Sequence, residues 1–157
     1  MSFFNSKISN IKTIRTSPNT QLSSGNWQYL SGSRIIYTPA ENAQNVVYQF
    51  SFGWHRATNG DNLTHIKIVS GSNEDEINNS PSDVFGANFN LGATNVYSRG
   101  NLTLKRMIPA WQGEKVIQTS FRWYNSGWVA EMHDIDFWHG SAVSNPINCH
   151  LLVYSVE

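Results

Sequence analysis

Between Met132 and Gly140 the chain reads "MHDIDFWHG", which places His133, Asp134, Asp136 and His139 within nine letters. Histidine and aspartate together can build a proton relay or hold a divalent cation. Two carboxylates on one face of a strand lie about 7 Å apart, a separation that glycoside chemistry can use. In an extended strand, however, Met132, Asp134, Asp136 and Trp138 point one way, and His133, Ile135, Phe137 and His139 point the other. The pleat then separates the histidines from the carboxylates unless a bulge intervenes. The expected reading is a solvated or interface face of a strand. A cation held with loop ligands and a catalytic carboxylate pair are the competing readings.

The remaining reactive side chains are dispersed. His55 closes an aromatic strand ahead of "RATNGDN" and is a candidate surface contact, whereas His65 and His150 alternate with aliphatic residues and are expected to hydrogen-bond within the sheet or across an interface. Zinc needs three or four converging ligands, and nothing in the spacing supplies them. The polar stretch from Gly71 to Asp83 carries Glu74, Asp75, Glu76 and Asp83 but lacks the ordered ligand alternation of a calcium loop, so it reads as a solvated loop. Cys149 is the single cysteine, which excludes a disulfide framework; in an apolar strand it reads as packing. No catalytic residue, metal or cofactor is expected.

Six tryptophans are many for this length. Trp54, Trp111 and Trp128 sit beside turns, where a ring either plugs the end of a sandwich or offers a flat apolar face to a sugar or another protein. In "RMIPAWQGEK" the turn residues Pro109 and Gly113 flank Trp111 and would fix it at the tip of a long hairpin.

These residues must be positioned by one core. A chain of 157 residues with 39% hydrophobic content suits a single domain. Only 14% of residues are charged and the formal net charge is +0, so neither nucleic acid nor an anionic membrane is an expected partner. The start, "MSFFNSKISN", lacks the basic and apolar regions of a signal peptide, and no run reaches membrane-spanning length, so the chain is expected to be made in a cytoplasm and to stay soluble.

Alternation sets the fold class. "VVYQFSFGWH" places Val46, Tyr48, Phe50, Phe52 and Trp54 on one strand face and Val47, Gln49, Ser51, Gly53 and His55 on the other. "LTHIKIV", "NLTLKRMI", "EKVIQTSFRWY", "GWVAEMHDIDFWH" and "INCHLLVYSV" have similar lengths, with turn clusters between them and no helical period. The expectation is an all-β, antiparallel β-sandwich or jelly roll of roughly eight to ten strands. Residues 1–32 are expected to form an N-terminal arm with the first short strands, and residues 33–157 the sandwich. Leu151, Leu152, Val153 and Tyr154 make the last strand apolar on both faces. With the chain ending just beyond it, the outer face needs a second cover, which a closed homo-oligomer would supply.

The stretch "RIIYTPAENAQNVVYQFSFGWHR", with Thr38-Pro39 ahead of a Val-Val-Tyr-Gln-Phe strand, the segment "THIKIV" through His65–Val69, and an aromatic strand ending in "DFWHG" resemble small β-domains of structural proteins of marine tailed bacteriophages. Those domains are similar in outline to the trimeric jelly rolls of the C1q and tumour-necrosis-factor class. The resemblance spans roughly Ser33 to Glu157. It implies a non-enzymatic virion protein, favoured as a homotrimer, serving as capsid decoration, neck or tail component, or fibre tip. The resemblance implies binding to other virion proteins or to the host surface, with a host-surface glycan as a candidate partner. A stand-alone carbohydrate-binding sandwich is the alternative. The resemblance transfers no functional residue.

Overall fold

The computed structural model describes residues 6–19, 21–22, 26–56, 63–74, 76, 83–90, 99–123, 130–133 and 148–157. Within them eleven strands form two sheets: β1 (Ile8–Thr16), β2 (Gln21–Leu22), β3 (Gln28–Tyr29), β4 (Ile35–Tyr37), β5 (Asn45–Arg56), β6 (Leu63–Gly71), β7 (Asp83–Asn90), β8 (Arg99–Pro109), β9 (Lys115–Trp123), β10 (Ala130–Met132) and β11 (Cys149–Val156). Every pairing is antiparallel, so the chain is an all-β sandwich. The strand count exceeds the expected eight to ten because four elements, β2, β3, β4 and β10, are pairings of only two or three residues.

β5 organises the first sheet. One edge pairs along its length with β8, from Asn45↔Pro109 to His55↔Arg99; the other pairs first with β11 and then with β10. β1 flanks β11 and β2 flanks β10, so the N-terminal segment runs along the outside of both. β1 is an edge strand of this sheet. In the second sheet the order is β3-β9-β6-β7, with β4 also on β9. β3 and β4 are two lengths of one edge, interrupted by a turn in which Ser33 N–H donates to Leu30 C=O at 3.1 Å. Gly32 takes φ +78° there, as the third residue of a type II turn requires. A Cβ at Gly32 would lie 2.3 Å from Cys149 Sγ, so close packing also demands glycine.

The core lies between the sheets. Val46, Tyr48, Phe50 and Phe52 of β5 meet Ile66 and Ile68 of β6, Ile117 and Phe121 of β9, and Cys149, Leu151 and Val153 of β11, with the Phe50 and Phe52 rings stacked at 5.3 Å. This is the face that the β5 alternation predicts. Two tyrosines link the sheets by polar contacts. Tyr48 OH donates to Ser33 C=O at 2.7 Å and lies 2.9 Å from Thr119 Oγ1, while Tyr37 OH donates to Asn10 C=O at 2.8 Å and lies 2.8 Å from Ser155 Oγ. Burial raises the pKa of both phenols, so they stay neutral donors across the ordinary pH range.

Two sequence expectations are corrected. "RMIPAWQGEK" does not cap a hairpin: β8 belongs to the first sheet and β9 to the second, so the segment crosses between sheets. The alternation expected through "MHDIDFWHG" fails at its second letter. β10 ends at Met132, and His133 adopts φ +66°, so the Met132 and His133 side chains are both buried.

Candidate functional site

The side chains on the outward surface of the first sheet follow from register. Because Leu151 and Val153 of β11 enter the core, Leu152, Tyr154 and Val156 face outward and are half-buried. Tyr154 pairs with Val47, which pairs with Met107. On the far side, Tyr154 faces the bulge between Ser9 and Lys12 that contains Asn10 and Ile11. Asn10 takes φ +48°, a conformation asparagine tolerates, and its side-chain amide donates to Thr38 C=O. Met107 is 63% exposed and Ile11 62%, yet Val47 between the strands is only 2% exposed. Ile8, exposed, pairs with Val156. An apolar band thus crosses β8, β5, β11 and β1.

Polar rows border this band. Lys105, Gln49, Leu152 and Thr13 stand in register on one side, followed by Thr103, Ser51, His150 and Arg15. Ser51 Oγ and Thr103 Oγ1 are 2.8 Å apart, and Thr13 Oγ1 is 2.7 Å from His150 Nε2, which fixes these side chains in place. At the opposite end Glu157 accepts from Ser9 Oγ at 2.6 Å and pairs with Lys7 at 3.1 Å. The Ser9 bond, with the Lys7 contact, holds its carboxyl below the usual range.

The tryptophans singled out from sequence take other places. Trp54 packs against the core, its indole next to Gly100. Trp111 also packs against the core, edge-on to Tyr37 at 6.2 Å, with Lys115 Nζ 5.7 Å from its ring centre and its Nε1 buried without a partner among the described residues. His55 pairs in register with Arg99 and Glu131, and His65 with Asn88 and Arg122. Trp128, Asp134, Asp136 and His139 lie outside the described residues.

The titratable groups do not converge into a reaction centre among the described residues. Glu74 pairs with Arg34, and Glu76 accepts from Ser72 N–H at 2.7 Å. His133 is fully buried against the edge of Phe52, and burial pushes its pKa down to about 4, with the nearby Ser31 backbone offsetting part of the shift. Neither ring nitrogen reaches a partner in hydrogen-bonding geometry among the described residues. Cys149 Sγ is buried 2.8 Å from Thr16 Oγ1. Among the described residues no three histidine, cysteine or carboxylate side chains are grouped to hold a metal. No helix among them is long and apolar enough to cross a membrane.

A second outward cluster escaped the sequence reading. On the second sheet, Lys67 Nζ lies 4.1 Å and Arg122 Cζ 4.8 Å from the centre of the Trp27 ring. The signal for it was "HIKIV" against "TSFRW", whose alternation puts Lys67 and Arg122 on the face opposite Ile66, Ile68 and Phe121. Their approach to Trp27 depends on pairing that spacing does not reveal.

No protein-family model matches the chain, and no curated protein matches it in sequence. Similar solved structures include dimeric latent PorU from Porphyromonas gingivalis, at 5% identity and TM-score 0.43, covering 92% of this chain and 13% of that one. The infectious bursal disease virus Gx strain structure matches at 11% identity and TM-score 0.45, covering 94% of this chain and 36% of that one. The enzymatically active domain of bacteriophage CBA120 tailspike protein 4 matches at 14% identity and TM-score 0.31, covering 95% and 20% respectively. The chain spans well under half the length of each of these proteins.

Proposed function

We propose that the chain is a non-enzymatic assembly module of a virion, a homotrimer built through the outer face of the sheet that carries β11. The observation that carries this reading is the band Met107–Val47–Tyr154–Ile11, which places apolar side chains from four hydrogen-bonded strands in one line on the side away from the core. Two register rows across four strands have a footprint of roughly 260 Å². That is about a third of the ~800 Å² each partner commonly contributes to a stable interface. The polar rows through Lys105, Gln49, Thr13, Thr103, Ser51 and His150 would supply the rest, giving an apolar centre with a polar rim.

The non-enzymatic part of the reading is supported by how the buried polar groups are used. The hydroxyls of Tyr37, Tyr48, Ser33, Thr119 and Ser155 are tied to one another or to backbone between the sheets, which favours a rigid scaffold. The virion assignment rests on the resemblance of the Arg34–Arg56 and Thr64–Val69 stretches to phage structural domains. Met107→Ser with Tyr154→Ser should dissociate the assembly while leaving a folded chain, since neither side chain belongs to the core. In particles, the chain should co-purify at fixed stoichiometry. Assembly unchanged by the double substitution would remove this face from the interface.

A further inference from the structure

We propose that the Trp27–Lys67–Arg122 cluster on the second sheet is a binding site for the oxyanion of an acidic polysaccharide, either a carboxylate or a sulfate. It is independent of the assembly face, which lies on the other sheet.

Two cations converge on one indole, Lys67 Nζ at 4.1 Å and Arg122 Cζ at 4.8 Å from its centre. Lys67 comes from β6 and Arg122 from β9, adjacent strands of one sheet, and Trp27 immediately precedes β3 on the other side of β9. The like charges work against each other: burial, and then the Arg122 charge, lower the Lys67 pKa. The indole face offsets part of this repulsion, because its quadrupole attracts cations. Among the described ion pairs no carboxylate sits on either cation, whereas the third cation of this face, Arg34, has Glu74. Arg122 Nε also lacks a hydrogen-bond partner among the described residues.

An oxyanion in contact with both cations would relieve the repulsion through charge-assisted bonds, with the planar guanidinium engaging two oxygens and the ammonium a third contact. Trp27 remains 36% exposed, enough to lay indole surface along the C–H groups of a pyranose ring. That combination favours an acidic sugar over a nucleic acid, which needs an extended track of cations that a chain of net charge +0 with one cation pair here does not provide.

The test is titration calorimetry of the full chain with polygalacturonate, dextran sulfate, uncharged dextran and oligothymidylate. Binding of polygalacturonate alone identifies a carboxylate ligand; binding of dextran sulfate alone identifies a sulfate; either supports the site. Lys67→Gln with Arg122→Gln should weaken binding at least about tenfold, and Lys115→Ala, beside Trp111 and outside both the cluster and the assembly face, should not. Should the double variant fold poorly, the indole N–H resonance of Trp27 in the unmodified protein, assigned with Trp27→Phe, should shift on adding galacturonate oligomers. No binding by either acidic polymer, equal binding of uncharged dextran, binding of oligothymidylate only, an unshifted Trp27 resonance, or affinity insensitive to Lys67 and Arg122 would overturn the proposal.

Discussion

The hydroxyl of Tyr37, on β4 of the second sheet, lies 2.8 Å from Ser155 Oγ, on β11 of the first. Ser155 Oγ also accepts from Ala40 N–H at 2.9 Å, and Tyr37 OH donates to the carbonyl of Asn10 at the β1 bulge. One buried pair thus binds β4, β11, β1 and the turn after β4. Tyr37→Phe should cost about 1–2 kcal/mol, and a double-mutant cycle with Ser155→Ala should show coupling rather than additivity. Denaturant midpoints measure this. Faster amide exchange across β1 in Tyr37→Phe would mark the bulge as the element released.

Gly32 supports a second prediction. Its φ is +78°, and a methyl group added there would sit 2.3 Å from Cys149 Sγ, so Gly32→Ala is doubly unfavourable, by strain and by overlap. We expect a loss of about 2 kcal/mol or more, of which Cys149→Ala in the same chain restores only the overlap with Sγ, because Thr16 Oγ1 would still lie 2.5 Å from the added methyl. Thermal unfolding of the single and double variants separates that overlap from the remainder.

His133 predicts a pH dependence. Its folded pKa, about 4, lies below the ordinary value of 6.5, so the unfolded chain takes up a proton first as pH falls. Stability from this group is complete above pH 6.5, declines between 6.5 and about 4, and changes no further below that. The full effect is on the order of 3 kcal/mol. His133→Asn, which tolerates the positive φ and does not titrate, should flatten that part of the profile of unfolding free energy against pH.

The parts of the fold legible in sequence are those governed by local alternation. The buried face of β5, from Val46 to Phe52, is the one its period of two requires. What stayed hidden was set by contacts distant in sequence. The β8–β9 connection reads as a hairpin because its letters favour a turn, but β8 pairs with β5, far earlier in the chain. His133 could not be placed because nothing in a histidine announces a positive φ. For the outer face, spacing showed that β11 has two apolar sides but left open which pair points outward; only register joins Tyr154 to Val47 and Met107.

Truncating the centre of the apolar band separates folding from assembly. Val47 is 2% exposed in its own chain, so Val47→Ser should lower both monomer stability and association, whereas Met107→Ser, at the exposed end, should lower association alone. Paired unfolding and sedimentation experiments on the two variants distinguish these effects.

The central claim is that this outer face is an interface between copies of the chain. Light scattering on the unmodified protein at micromolar concentration, with no particle present, tests it most directly. A mass three times the 17.7 kDa of one chain, falling to a single chain in Met107→Ser with Tyr154→Ser, is the result expected. A monodisperse mass of 17.7 kDa for the unmodified chain would contradict it.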